Sequence, residues 1–316
     1  MSPQAPVTGA WDSAYHSPVL VDEVVEVLGG AKRILDCTLG GGGHSAALLA
    51  LGADVTAIDR DPEAVAEARK RLASHEAAGK FRVILGNFAE ADRLLPDTRQ
   101  KFDGILADLG VSSRQIDDES RGFSFRQGAP LDMRMENIGK ATAAELLNTM
   151  DEEDLIRVLR EYADEPRAGR LAHEIVRRRE NIPFATSDDL VKAIRGALGA
   201  RSGPGDFARI FQGIRIAVND ELGSLQRALP MLRDMLEPNG VIAVIAYHSG
   251  EDRIVKTLMR EWSRDCVCPP KQLQCTCGAR ALGRLINRKA IKTSAAEMER
   301  NPRARSARLR AWRSAA

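Results

Sequence analysis

The sequence predicts an α/β fold in which a Rossmann-like parallel sheet carries an inserted all-helical domain. The first observation behind this is a strand-like Arg33-Ile34-Leu35 that breaks into Asp36-Cys37-Thr38-Leu39-Gly40-Gly41-Gly42-Gly43-His44-Ser45 and then the helix-like Ala46-Ala47-Leu48-Leu49. A strand that turns through glycines into a helix aims backbone N–H groups at a ligand. The second is a series of further short apolar runs: Val55–Asp59, Phe81–Leu85, Phe102–Asp108 and Val241–Tyr247. Near-continuous runs of this kind suit strands buried on both faces of a parallel sheet. The third is that this alternation stops between roughly Gln115 and Ile214, where apolar residues recur at helical spacing.

Taken in order, Asp61-Pro62 opens a helix through Arg71, with proline suited to the first turn. In the middle region Leu155, Ile156, Val158, Leu159 and Tyr162 share a helical face, as do Leu171, Ile175 and Val176. Leu190, Val191, Ile194 and Leu198 follow a cap at Ser187 or Asp188. The longest helical pattern, from about Phe207 to Leu236, returns the chain to the sheet. These readings place a discontinuous core at residues 14–115 and 215–300, a helical insertion for substrate recognition at 116–214, and a basic C-terminal tail at 301–316.

The 316 residues are 44% hydrophobic and 28% charged, ordinary for a globular protein, with a net charge of only +2. Affinity for a polyanion must therefore come from clustering. From Arg280 onward eleven basic residues face only Glu297 and Glu299, which reads as a phosphate-contacting surface or, more plainly, a solvated helix and frayed end. No apolar run approaches the ~20 residues that span a bilayer, and the N-terminus lacks a secretory pattern. Five cysteines, an odd number, argue for a reducing compartment, so the expected location is the cytoplasm, without membrane association. Whether the chain acts alone or as a homodimer is left open.

Asp59 follows Asp36 at the spacing of an acid that binds a ribose hydroxyl pair, so the two predict a nucleoside cofactor. A dinucleotide fingerprint counted from Gly40 and Gly42 would need its third glycine at Ser45, and fails there. An acid placed immediately before the loop is instead the pattern of methyltransferases that bind S-adenosylmethionine. Asp36, Asp59, Phe88, Asp108 and His248 all fall at strand ends, where open parallel sheets bind ligands. Phe88 reads either as a face for adenine or as core.

Asp108 lies where the donated methyl would meet its acceptor. Enzymes that methylate exocyclic amines often carry Asp/Asn-Pro-Pro-aromatic there; Asp108-Leu109-Gly110 keeps the acid alone. A ring-carbon methyltransferase would need a cysteine nucleophile nearby, and none closely follows Asp108. Cys37 is expected to be a packing residue. Cys266-x-Cys268 and Cys275-x-Cys277 offer four thiols to a structural zinc, but zinc pairs usually enclose two to four residues; the reading taken is no metal and reduced packing thiols.

The motifs Asp36-x-Thr38-x-Gly40-x-Gly42-Gly43-His44-Ser45, Asp59-Arg60-Asp61-Pro62 and Asp108-Leu109-Gly110-Val111-Ser112-Ser113 resemble the bacterial 16S rRNA cytosine-N4 methyltransferases, the RsmH or MraW family. Arg121-Gly122-Phe123-Ser124-Phe125, Pro130-Leu131-Asp132-Met133-Arg134-Met135 and Tyr247-His248-Ser249 with Glu251-Asp252-Arg253 are similar to it too. The resemblance runs from His16-Ser17-Pro18-Val19 to Asn301-Pro302-Arg303-Ala304-Arg305-Ser306, departing at Gly128-Ala129 (usually Asp-Gly) and at Gly250 (commonly leucine). It implies S-adenosylmethionine contacts at Gly42, Gly43, His44, Asp59, Phe88, Asp108 and Gln115. It also implies methyl transfer to N4 of a cytidine in the decoding region of 16S rRNA, in the small ribosomal subunit. Asp108 is the expected catalytic residue.

A target base must be single-stranded or flipped out to reach a methyl donor. Phe123 and Phe125 read as rings that stack it, or as core of the insertion. Arg134, with Arg121 and Arg126, reads as a phosphate contact, and His248 as a group that steers substrate or as an ordinary hydrogen-bonded histidine. Other function classes are a nicotinamide-dependent oxidoreductase, opposed by Ser45, and a non-catalytic RNA-binding factor, opposed by the intact acids Asp36, Asp59 and Asp108.

Overall fold

The computed structural model describes Trp11 and residues 18–97, 99–136, 139–269, 272, 274 and 276–316. The expected core start at residue 14, the His16-Ser17 half of the first motif and Cys275 lie outside the described residues. The chain divides into two compact units, Met1–Gly110 with Leu222–Ala316, and Val111–Glu221.

The first unit is built on strands β1 (Arg33–Asp36), β2 (Asp54–Asp59), β3 (Phe81–Leu85), β4 (Phe102–Asp108), β5 (Leu236–Ala246), β6 (Gly283–Leu285), β7 (Ile291–Lys292) and β8 (Arg308–Ser314). Their order is β3-β2-β1-β4-β5-β8-β6, with β7 also paired to β8. Strands β1 to β5 are mutually parallel, and β8 enters antiparallel to β5. Alternate residues feed two cores, as the period of a strand dictates. Ile34, Val55, Ala57, Leu106, Ala243 and Ile245 pack on one face. Leu35, Ile58, Ile105, Ala107, Ile242 and Val244 pack on the other. A doubly covered sheet explains why these strands read as unbroken apolar runs.

The second unit is helical, with Ala143–Thr149, Glu152–Glu161, Ala168–Arg179, Ser187–Leu198 and Pro204–Asn219 around one core that includes Leu155, Leu159, Leu171, Ile175, Leu190, Ile194 and Ile210. The cap of the helix Ser187–Leu198 is Thr186, one residue ahead of the expected pair, with Asp189 closing the reciprocal capping box.

Two expectations are corrected. The helical pattern from Phe207 to Leu236 is two helices, Pro204–Asn219 and Glu221–Asp234, separated by Asp220 in the left-handed region at φ 48°. Periodicity continues across such a break, so the pattern hid it.

The basic tail is likewise not a tail. Residues 308–314 are a strand inside the sheet, with Leu309, Ala311 and Trp312 fully buried. Arg310 is only 8% exposed and forms a bidentate pair with Asp252 at 2.7 and 3.1 Å, while Arg308 reaches the same carboxylate at 3.3 Å. Alternating arginines along a strand mimic a charged end by composition, yet two of them share the carboxylate of Asp252. Removing the chain after Ile286 would therefore delete two strands rather than test a nucleic-acid arm. Exposed bases remain at Arg280, Arg284, Arg288, Lys289, Lys292, Arg300, Arg303 and Arg305.

Trp312 meets Trp262 edge to face at 5.3 Å, and its indole N–H donates to Ser263 Oγ. Trp312→Ala is expected to cost about 3–5 kcal/mol through the cavity it leaves. Urea unfolding checks this, and a loss below about 1 kcal/mol would show that β8 is not integral to the sheet.

Candidate active site

The glycine run leaves β1 and enters the helix Gly43–Ala50. Gly40 and Gly42 have φ of 52° and 73°, a region that side chains disfavour. At Gly43 a Cβ would lie 2.6 Å from Pro18 Cγ, so only glycine permits that approach. The loop is held by the two acids that the sequence assigned to ligand. Asp36 is buried, with Oδ1 accepting from Thr38 N and Oδ2 from Ser45 Oγ at 2.6 Å. Ser45 therefore replaces a third glycine with a clamp on Asp36. Asp59 at the end of β2 accepts from Gly40 N at 2.8 Å and Asp61 N at 2.9 Å. Burial raises its pKa to about 6 against those hydrogen bonds.

Asp108 ends β4, next to β1 in the sheet. Its backbone N–H donates to Thr38 Oγ1, which ties β4 to the glycine loop. Oδ1 accepts from the Tyr247 hydroxyl at 2.9 Å, and Oδ2 lies 3.7 Å from His44 Nδ1. Burial lifts the carboxyl to about 6, while His44 and Tyr247 oppose the rise. His44 Nε2 contacts the Val19 carbonyl at 2.9 Å. A carbonyl only accepts, so Nε2 carries a proton and Nδ1 is the atom turned toward Asp108.

Tyr247 and Glu251 complete the cluster. Glu251 Oε2 accepts from the backbone N–H of Tyr247 at 2.8 Å and of His248 at 3.3 Å, capping the helix Ser249–Trp262. His248 Nε2 is 3.2 Å from Glu251 Oε1 but buried without an aligned hydrogen bond. Burial keeps the Tyr247 phenol protonated, well above its ordinary range, so it acts on Asp108 as a donor.

Sequence reasoning gave Tyr247, Thr38 and Glu251 no role. For Tyr247 the signal was register: Asp108 pairs with Ile245, so Tyr247 follows two residues on, on the same face of the neighbouring strand.

Asp36, Gly40, Gly42, Gly43, His44, Asp59, Asp108 and His248 all belong to the first unit, on the strand ends and the segments that follow them. Phe88, also there, is 9% exposed and packs with Ala91 and Leu95 in the core, the plainer of its two readings. Cys37 is buried, and its desolvated thiol is pushed well above the usual range, so it is no nucleophile.

Gln115 lies in the second unit, buried, where it and Ser112 cap each other reciprocally. Of the two candidate stacking rings, Phe123 is 9% exposed and part of the helical core, the second of its two readings. Phe125 is 36% exposed and meets Phe207 and Phe211 edge to face at 5.8 and 6.1 Å. Arg134 is held by both oxygens of Asp132 at 2.8 Å, so it is engaged rather than a free phosphate contact.

Cys266, Cys268 and Cys277 are exposed or half-buried and belong to no apolar cluster. They are therefore not the packing thiols expected.

The ends of β1, β2 and β4 present three carboxyls, Asp36, Asp59 and Asp108. Such a set repels a pyrophosphate and suits a ligand bearing an ammonium, a sulfonium and ribose hydroxyls. The chemistry of this donor set fits S-adenosylmethionine.

Two measurements test this electrostatic account. Tyr247→Phe removes a hydrogen bond that favours the charged Asp108; methyl transfer should fall about 10- to 100-fold and its acid limb move to higher pH. An unchanged pH profile would separate Tyr247 from Asp108.

The second concerns stability. Asp59 and Asp108 have folded pKa values of about 6, above the ordinary 3.8, so the folded chain binds protons more readily than the unfolded one. Their contribution to stability is largest at low pH and is lost as pH rises through about 6. Donor affinity should run the opposite way, falling as pH drops through 6. Calorimetric binding and urea unfolding of the wild type and Asp108→Asn from pH 5 to 8 check both. Parallel stability curves for the two proteins would contradict the assignment.

Among proteins similar in sequence, the Ribosomal RNA small subunit methyltransferase H of Gemmatimonas aurantiaca is 59% identical over 315 residues, covering 100% of both chains. The protein of the same name from Heliobacterium mobile is 45% identical over 306 residues, covering 94% of this chain and 97% of that one. A solved rRNA methylase from Streptococcus thermophilus aligns over 94% of each chain at 11% identity with a TM-score of 0.41, too loose a likeness to bear on the reaction. The pattern of the MraW methylase family matches residues 13–315, and the chain belongs to that family.

Proposed function

We propose that this chain transfers a methyl group from S-adenosylmethionine to the exocyclic N4 of a cytidine in the decoding region of 16S rRNA, within the small ribosomal subunit. The observation that carries the reading is Asp108, a buried carboxyl at the end of β4 gripped by Tyr247 and faced by His44. Two relatives that match nearly the whole chain are named for small-subunit ribosomal RNA methylation, and a ribosomal substrate sets the work in the cytoplasm. Among the described residues no helix is long and apolar enough to cross a membrane.

When bound, S-adenosylmethionine supplies an electrophilic methyl carbon on a sulfonium that departs as a neutral thioether. The residues of the chain do the rest by placement and electrostatics. Asp59 accepts from ribose hydroxyls while its own hydrogen bonds fix the glycine loop. Asp108 is largely ionised at neutral pH, since its pKa is about 6. It accepts a hydrogen bond from the amine, which localises the nitrogen lone pair that ring conjugation withdraws. Tyr247 fixes Oδ1, so the carboxylate keeps one orientation through the transfer. The proton that the methylated amine must lose needs no dedicated base and passes to water, and no residue forms a covalent intermediate.

In the second unit, the exposed edge of Phe125 provides a surface on which an unstacked RNA base can lie, worth about 1–3 kcal/mol in stacking. The exposed bases Arg280, Arg284, Arg288 and Lys289 provide phosphate contacts.

Asp108→Ala should lower kcat by about 100-fold or more while preserving the fold. The assay uses labelled donor with unmethylated small subunits and free rRNA in parallel, followed by mass spectrometry of the nucleosides. N4-methylcytidine formed by the wild type and absent with the variant supports the reading. A methylated ring carbon, or full activity in the variant, contradicts it.

A further inference from the structure

The geometry points to a structural zinc site formed by the thiolates of Cys266, Cys268 and Cys277, outside the methyl-transfer machinery. The three sulfurs lie within 4.8 Å of one another, and Cys266 Sγ and Cys277 Sγ are 3.8 Å apart. Tetrahedral zinc with Zn–S bonds of ~2.3 Å sets its sulfurs about 3.8 Å apart. A disulfide would require ~2.05 Å. A four-iron cluster binds each cysteine to a different iron and would spread the sulfurs further. The separation matches one small ion shared between thiolates.

The backbone is arranged for thiolates. Val267 N–H donates to Cys277 Sγ and Cys268 N–H to Cys266 Sγ, each at 3.4 Å. Amide donors on sulfur orient metal ligands and stabilise their charge. The one-residue spacing of Cys266 and Cys268, unusual for zinc, is accommodated because that N–H···S turn folds the Cys266 sulfur back over the backbone.

The surrounding chain needs such a clamp. Between the helix ending at Trp262 and β6 starting at Gly283 there is no described helix or strand. The neck of this loop is closed by Leu282 N–H to Trp262 O at 2.8 Å and Ala281 N–H to Asp265 Oδ1 at 3.3 Å. Among the described residues beyond the neck none joins an apolar cluster, and Val267 is 65% exposed. So long a stretch in which the described residues form no helix or strand is uncommon unless it is functional or braced. Exposed thiols convened without a core have no packing reason to meet, and soft thiolate sets select zinc among the common divalent ions.

The test uses the full chain purified under reducing conditions. Zinc offered and then dialysed away should leave about one equivalent per chain, measured by elemental mass spectrometry. Cobalt(II) should produce a thiolate-to-metal charge-transfer band whose intensity corresponds to at least three thiolates. C266S/C268S/C277S should lose both signals while retaining S-adenosylmethionine binding, and chelation of the wild type should hasten trypsin cleavage at Arg264 or Arg280. Less than a tenth of an equivalent of zinc in the wild type, or a cobalt band of two thiolates or fewer, would overturn the site. Undiminished zinc in the triple variant would also do so. If that variant does not fold, the wild-type cobalt titration decides alone.

Discussion

A carboxylate taken out of water at the end of β4 is the constraint around which the first unit is arranged. Burial pushes the Asp108 pKa up, and a protonated acid would accept poorly from an amine. Its neighbours hold it near the balance point. Tyr247 donates to one oxygen, and His44 faces the other with its remaining nitrogen fixed by the Val19 carbonyl. Thr38 takes the backbone N–H of Asp108, so the glycine loop and the acid move as one piece. Thr38 and His44 come from the run that follows β1, Tyr247 from the end of β5 and Val19 from the segment ahead of the first helix. The carboxyl's position is therefore a property of the sheet's assembly, not of any local motif.

That assembly explains why β8 matters. Strand β5 carries Tyr247 at its end, and β8 covers its far edge through pairing from Val241–Arg313 to Ala246–Arg308. Asp252, on the helix that Glu251 caps, binds Arg310 and Arg308 from β8. The segment Tyr247–Asp252 is thus tied to Asp108 on one side and to β8 on the other. Arginines that look like a nucleic-acid arm in the sequence serve partly as internal counter-ions. Most of the exposed bases precede β8 along the chain.

The core of the fold was legible because strands buried on both faces and a glycine-rich turn leave direct marks in composition. The acids Asp36, Asp59 and Asp108 were legible for the same reason, since strand ends can be located from the runs that precede them. Three things were not. The break at Asp220 is a single residue in the left-handed region, which leaves hydrophobic periodicity intact on either side. Phe123 and Phe125 are two residues apart and look equivalent in the sequence, yet tertiary packing buries one and leaves the other partly open. Arg134 looked free because its partner, Asp132, has the wrong spacing for a helical pair and meets it only through the local turn. Partner choice among charged residues depends on three-dimensional placement, which a one-dimensional pattern does not carry.

The central claim is that three carboxyls at the crest of the sheet select a cationic nucleoside over a pyrophosphate. Side-by-side calorimetric titration of the purified protein with S-adenosylmethionine and with a nicotinamide dinucleotide examines it most directly. Saturable heat with the sulfonium compound at about one per chain, and none with the dinucleotide, is the predicted result. Binding of the dinucleotide in its place would contradict it.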